Sequence, residues 1–307
     1  MAAVRCGPGR LTTAVQTARA AVAGLADAGL YAARTFGCPA GLRGLAVEGA
    51  WLAAHATLYP LGLLHEQLSV HDGYRTDPLP PVRRSLVVTD VEAAGTPILL
   101  VHGIMDNRSV FTVLRRALRR RGFGVVHAVN YSVLTGDVRG AAEELRGHVE
   151  RLRERTGAEK VHVVGHSLGG MIARYYVQRL GGSAAVDTLV TLGSPHGGSL
   201  AAWLMPTRLA AQLRPGSAVL AELAAPAGGC TTRFLVVWSR MDQMVLPQRN
   251  ARLVHPDLEV EHLELRDVGH LALPIDARTV HWVATGLARA RTPGAPAVDP
   301  TATASAS

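Results

Sequence analysis

Lysine is almost absent from this chain. Lys160 is the single lysine among 32 basic residues, and the rest are arginine. The formal charge of +8 would by itself point to a nucleic acid or an anionic surface. In a chain equally rich in alanine and glycine, an all-arginine basic set reads instead as compositional bias, and no nucleic-acid partner is expected. The densest cluster, Arg115-Arg116 with Arg119-Arg120-Arg121, lies on a helical pattern with Val110, Val113, Leu114 and Leu118 opposite, as a solvated helix face requires. Cysteine is also scarce. Cys6, Cys38 and Cys230 have neither metal-ligand spacing nor a Cys-x-x-Cys pair, so free thiols are expected rather than a disulfide scaffold. Aromatic residues make up 5% against 48% hydrophobic, so the core must be built mainly from Val, Leu and Ala.

Other absences narrow the chemistry. No glycine pattern has the Gly-x-Gly-x-x-Gly order of a dinucleotide site, and no phosphate loop is present. Asp106 beside Asn107 is the nearest approach to an ion site, and one adjacent pair does not make one. No metal or organic cofactor is expected. An uninterrupted apolar span is missing as well: Ala46 to Leu64 is long enough to approach one but contains Glu48, His55 and Pro60.

Three zones remain. Residues 1–75, rich in Ala, Leu and Gly, read as a helical N-terminal extension. Pro78, Pro80 and Pro81 mark a linker. Residues 82–290 read as one catalytic domain, and 291–307 as a disordered tail of Ala, Thr, Ser and Pro. The extension has three readings: a helix pair packed on the domain or over its pocket, an interfacial or membrane-associated helix, and a secretion signal. The apolar stretch after Arg5 and Arg10 is broken by Gln16, Arg19 and Asp27, so it makes no clear signal peptide. A cytoplasmic or membrane-associated location is therefore expected ahead of secretion.

Within the domain, strand signals fall at 85–89, 97–101, 125–129, 161–164, 188–192, 234–238 and 260–265. Helical patterns lie between them, most clearly at 138–155 with Val138, Ala142, Leu145, Val149 and Leu152 on one face. Apolar strands alternating with helices imply an α/β fold with a mostly parallel sheet and helices on both faces. Chemistry in such a sheet sits at the carboxyl ends of its strands.

One strand end stands out. Val161-His-Val-Val164 runs into Gly165-His-Ser-Leu-Gly169, and a helical pattern follows at once. A strand, a sharp turn and a helix with serine at the apex form a nucleophile elbow, which exposes the serine hydroxyl. Ser167 is the candidate nucleophile. A serine alcohol needs a base, and that base needs a carboxylate to orient it. Asp242, after the strand at 234–238, is the candidate acid, with a helix-capping role near Pro247 as its plain alternative. Asp267 and Asp276 compete, but Asp267 shares the histidine's loop and Asp276 has the position of a helix N-cap. Of 13 histidines, His270 is the candidate base: it follows the last strand, and Gly269 lets its loop turn back. His255, His262 and His281 have structural or surface contexts. Backbone donors for an oxyanion would be the Ile104 amide, after the strand at 97–101, and the Leu168 amide, after the nucleophile. His102 is expected to prop the first of these loops, and His166 to line the elbow without a chemical role.

Val101-His-Gly-Ile104, Gly165-His-Ser-Leu-Gly-Gly170, Leu192-Gly-Ser-Pro-His-Gly-Gly198, the Asp242 loop and the His270 loop follow one another in the order of the α/β-hydrolase fold. From about residue 83 to 290 the chain resembles its bacterial lipase and esterase branch, near the triacylglycerol lipases and the GPI-inositol-deacylase-like lipases. The resemblance implies cofactor-free ester hydrolysis, with Ser167, Asp242 and His270 as triad and Ile104 and Leu168 as oxyanion donors. The substrate would be a lipid-like or a short- to medium-chain acyl ester. An acyltransferase or thioesterase would use the same triad, and a non-catalytic lipid-binding protein the same fold. An apolar insert at about 198–230, with Leu200, Trp203, Leu204, Met205, Leu209, Leu213, Val219, Leu220 and Leu223, reads as a lid or acyl-binding wall, or else as a crossover helix.

Overall fold

The computed structural model of the chain describes residues 37–69, 95–104, 106–131 and 136–289. The strand expected at 85–89, the proline linker, Cys6 and the tail at 291–307 lie outside them. The elements are α1 (Pro39–Ser69), β1 (Ile98–Val101), α2 (Thr112–Arg120), β2 (Val126–Val129), α3 (Val138–Thr156), β3 (Val161–His166), α4 (Leu168–Arg179), β4 (Val186–Leu192), α5 (Arg208–Ala211), α6 (Ala218–Ala224), β5 (Arg233–Ser239), β6 (Glu259–Leu265) and α7 (Ala277–Leu287). Each of the six strands coincides with a sequence signal to within two residues at either end.

The strands form one parallel sheet in the order β2-β1-β3-β4-β5-β6. Alternate side chains of a strand point to opposite faces, so each continuous apolar run feeds two cores. On β1, Leu99 and Val101 join one core and Ile98 and Leu100 the other; on β5, Phe234 and Val236 divide likewise from Leu235 and Val237. The first core is closed by α3, α4 and the insert's Leu209, Val219, Leu220 and Leu223, the second by Leu114 and Leu118 of α2 and by α7. β2 and β6 are the edges of this sheet among the described residues, and β6, with Glu259, Glu261 and Glu264, is half exposed. Helix ends follow local chemistry. The Asp137 carboxylate caps α3, which stops at Gly157 in a left-handed conformation, and Asp276 caps α7 through the Arg278 and Thr279 amides.

Two details differ from the sequence reading. Val113 lies on the outer side of α2, 39% exposed, so the apolar stripe of that helix is narrower than expected. The insert is divided: α5 and α6 pack into the core as a crossover would, while Leu200, Trp203 and Leu204 project outward. Cys38 and Cys230 are not bridged to each other. Among the described residues no helix is long and apolar enough to cross a membrane. Instead α1, a single 31-residue helix passing through Pro60, is fastened to the loops at the carboxyl ends of the strands.

Candidate active site

The chain leaves β1 for β2 on one side and resumes at β3 on the other, so the sheet changes direction between β1 and β3. A crevice opens outside the carboxyl ends of strands at such a point. Val101 and Gly165 are partners in register there, and two residues beyond them stand Gly103 and Ser167. Ser167 is the one described non-glycine residue with positive φ, at φ 53° and ψ −120°. A side chain in this region is strained, which surrounding structure must enforce. The enforcement is visible: the Ser167 amide donates to Leu192 O at 2.8 Å, and the turn is pressed onto β1. A methyl group at Gly169 would sit 2.1 Å from the Val101 carbonyl oxygen, and one at Gly165 2.4 Å from the Gly170 backbone. Both positions must therefore be glycine for the elbow to close. The Ser167 side chain forms no capping bond to α4, so its hydroxyl is not tied to the first turn of that helix.

Asp242 and His270 come from the loops after β5 and β6. The His270 ring presents Nδ1 to Asp242 Oδ2 at 2.7 Å, and both side chains are buried. The other Asp242 oxygen accepts the Met244 and Val245 amides, each at 2.8 Å. The carboxylate therefore folds its own loop as well as holding the histidine, and it does not cap the short helix after Pro247. Burial alone would depress the His270 imidazole, but the charge and hydrogen bond of Asp242 outweigh it and raise its pKa above the ordinary value. The ring lies beside that of His166, the residue before Ser167, with centroids 4.9 Å apart.

The β1 loop is built around one peptide group. The Gly103 carbonyl accepts from His102 Nδ1 at 2.9 Å and from the Tyr131 hydroxyl at 3.1 Å, and the two rings stack at 4.4 Å. The Gly103–Ile104 peptide is planar, so fixing its carbonyl aims the Ile104 N–H the opposite way. His102 thus props the loop as expected, with the Tyr131 hydroxyl and the Asp106 amide as further donors. The competing acids have other partners. Asp267 pairs with Arg278 at 2.7 Å, and Asp276 caps α7. His255 bonds Ala225 O, while His196 bonds Thr191 and faces Arg174, and burial pushes its pKa well below the ordinary value.

A family model described as alpha/beta hydrolase fold matches residues 96–215. The fold itself is shared with solved structures: Aspergillus fumigatus lipase B superposes with a TM-score of 0.58 at 14% identity, over 75% of this chain and 67% of that one. The chain has the α/β-hydrolase fold.

Curated relatives of this hydrolase-fold chain lie in the bacterial lipase branch. The triacylglycerol lipase of Burkholderia plantarii is 32% identical over 122 residues, 37% of this chain and 33% of that protein. The triacylglycerol lipase of Pseudarthrobacter phenanthrenivorans is 32% identical over 115 residues, 35% of each. The chain therefore spans about a third of the length of the curated relatives it matches.

Sequence reasoning missed a group of residues that reach the site from outside the matched segment. Glu48, on α1, accepts the Leu271 and Ala272 amides at 2.7 and 2.9 Å. His55 Nε2 lies 2.9 Å from Asp106 Oδ1, while Asp106 Oδ2 is 3.5 Å from His166 Nδ1. Burial would raise the Asp106 carboxyl, but the two imidazoles outweigh it and hold it well below the usual range. Asn107 caps the following turn and donates to Tyr59 O. The Asp106-Asn107 pair is thus a fastening for α1. A signal was available: Glu48 and His55 are seven residues apart in an apolar stretch, which is two helical turns and hence one face.

Proposed function

We propose that this chain is a serine carboxylic ester hydrolase acting on lipid-like or short- to medium-chain acyl esters. The observation that carries the reading is the buried Asp242–His270 pair, held at 2.7 Å beside an elbow whose serine has a strained backbone. Asp242 keeps the Nδ1 proton in place, leaving Nε2 free to take the proton of the Ser167 hydroxyl as its oxygen attacks the ester carbonyl. The negative charge formed on that carbonyl oxygen is met by the Ile104 and Leu168 amides. Collapse of the tetrahedral intermediate breaks the bond to the alcohol, which leaves with the proton from His270. Water, deprotonated by the same imidazole, then releases the acid from Ser167.

The bacterial triacylglycerol lipases similar to part of this chain support an acyl ester as substrate. So does the exposed apolar rim of Leu200, Trp203 and Leu204, for which an alkyl chain is a natural cover. We assign the lid or acyl-wall role to that outer part of the insert. Leu42, Leu52 and Leu63 on the outer side of α1 are the residues through which membrane-surface association would act, and vesicle co-sedimentation of the full chain tests it.

The deciding experiment is hydrolysis of p-nitrophenyl esters from acetate to palmitate by the wild type and by Ser167→Ala. Serine-dependent turnover is expected, and its chain-length optimum separates esterase from lipase. Ester cleavage that survives in folded Ser167→Ala refutes the reading.

A further inference from the structure

The helix α1 is inside out. Gly41, Gly44, Glu48, His55 and Gly62 share one face and turn toward the domain, whereas Leu42, Leu45, Val47, Leu52 and Leu63 are exposed. A helix that turns Glu48 and His55 inward and Leu42, Leu45, Leu52 and Leu63 outward is not held by apolar packing alone. Its inward glycines allow close approach. A methyl group at Gly44 would lie 2.4 Å from the Met241 side chain and 2.6 Å from the Asp267 carbonyl, in the acid and base loops respectively. Between these contacts and the His55 pin, the Glu48 carboxylate reaches the His270 loop.

Its geometry there is bidentate. Oε1 accepts the Leu271 amide at 2.7 Å and Oε2 the Ala272 amide at 2.9 Å. Gly269, on the other side of His270, lies against the same carboxylate: a methyl group there would be 2.3 Å from Oε2. The His270 amide itself is fixed by Gln243 Oε1 at 3.2 Å. Glu48 therefore touches the chain immediately before and after the histidine, and brings a negative charge to an imidazole that Asp242 already faces. Burial pushes the Glu48 carboxyl up, while the two amides and His270 oppose that rise.

We infer that Glu48 is a positioning residue for His270, holding the base loop in its working geometry and adding its carboxylate to those of Asp242 and Asp106 around the imidazole. On this view α1 is a functional part of the active site and not an appendage to it. The inference rests on the assignment of His270 as general base.

The test is made in the full chain with Glu48→Gln, Glu48→Ala, Gly269→Ala and the Glu48→Ala/Gly269→Ala double variant. Loss of the clamp should lower kcat by about 10- to 100-fold with KM changed by no more than about twofold, as expected for a base displaced by up to about 1 Å. Gly269→Ala should reproduce the loss by pushing the carboxylate aside, yet add little in the Glu48→Ala background, because both changes break one interaction. In Ser167→Ala protein, where turnover is not needed, NMR titration of His270 should show a lower pKa once Glu48→Gln removes the charge. Unchanged kcat with unchanged His270 titration in folded Glu48→Gln would overturn the inference, as would strictly additive losses in the cycle. If Glu48→Ala does not fold, Glu48→Gln and Gly269→Ala carry the same test. Wild-type protein without esterase activity would count against the proposed function alone, and the titration would still decide the role of Glu48.

Discussion

Replacing Asp242 by asparagine should separate folding from catalysis in this site. The Asp242 side chain has two jobs on two oxygens: Oδ1 accepts the Met244 and Val245 amides, and Oδ2 accepts the Nδ1 proton of His270. Asparagine can keep the first job, since its remaining oxygen can face the same two amides. Its NH₂ group then occupies the Oδ2 position and meets His270 Nδ1 as a donor. The imidazole must answer with a lone pair at Nδ1, which places its proton on Nε2, where the base has to be empty. The variant should fold with its loop intact and lose about 10⁴-fold in kcat, or about 5 kcal/mol of transition-state stabilisation. Asp242→Ala is the control. It removes both jobs and leaves the two loop amides without a partner, at about 1–3 kcal/mol each, so it should melt clearly below Asp242→Asn while being comparably inactive. Thermal melts and p-nitrophenyl butyrate hydrolysis on the three proteins measure both effects. An Asp242→Asn protein within tenfold of wild-type kcat would refute the tautomer argument and the assignment of the acid with it.

Three further outcomes follow from the geometry. The imidazole is a base only when neutral, and Asp242 raises the His270 pKa despite its burial, so the acid limb of kcat/KM should lie above the ordinary value of 6.5; a limb at or below 6.5 in the pH–rate profile would contradict this. Ser167→Gly and Ser167→Ala should both be inactive, but the glycine variant, relieved of positive-φ strain, should be more stable by about 1 kcal/mol in urea unfolding, and equal stabilities would show the elbow to be unstrained. Tyr131→Phe removes one of the two side-chain donors that fix the Gly103 carbonyl, which also accepts the Asp106 amide at 3.4 Å, and should lower kcat about tenfold with little change in KM, a normal kcat showing that the remaining donors suffice.

Local pattern carried most of the fold and the candidate groups. Continuous apolar runs such as Ile98-Leu-Leu-Val101 fit strands covered on both faces, and the spacing of Val138, Ala142, Leu145, Val149 and Leu152 presents one stripe as a helix. Gly165-His-Ser-Leu-Gly169 is read in sequence for a local reason too, because the elbow is made by residues adjacent in the chain, and Gly165 and Gly169 are required by contacts of about 2 Å. The order of Ser167, Asp242 and His270, each just beyond a strand, followed from the rule that parallel sheets collect their loops at one end. What composition left open was α1. Glu48, His55 and Pro60 read as flaws in an apolar segment, because hydropathy weighs a residue without knowing what it faces. Whether a carboxylate is a defect or a clamp depends on two amides more than 220 residues away. Tyr131 was silent, and His166 and Asp106 were only partly legible, for the same reason: their roles are set by partners on other elements. Sequence alone therefore determined the described strands, the sheet and the three candidate side chains, all of which depend on neighbours in the chain or on strand ends. The tertiary structure decided how those side chains are oriented and which distant helix holds them, since hydrogen bonds act over about 3 Å of space and take no account of separation along the chain.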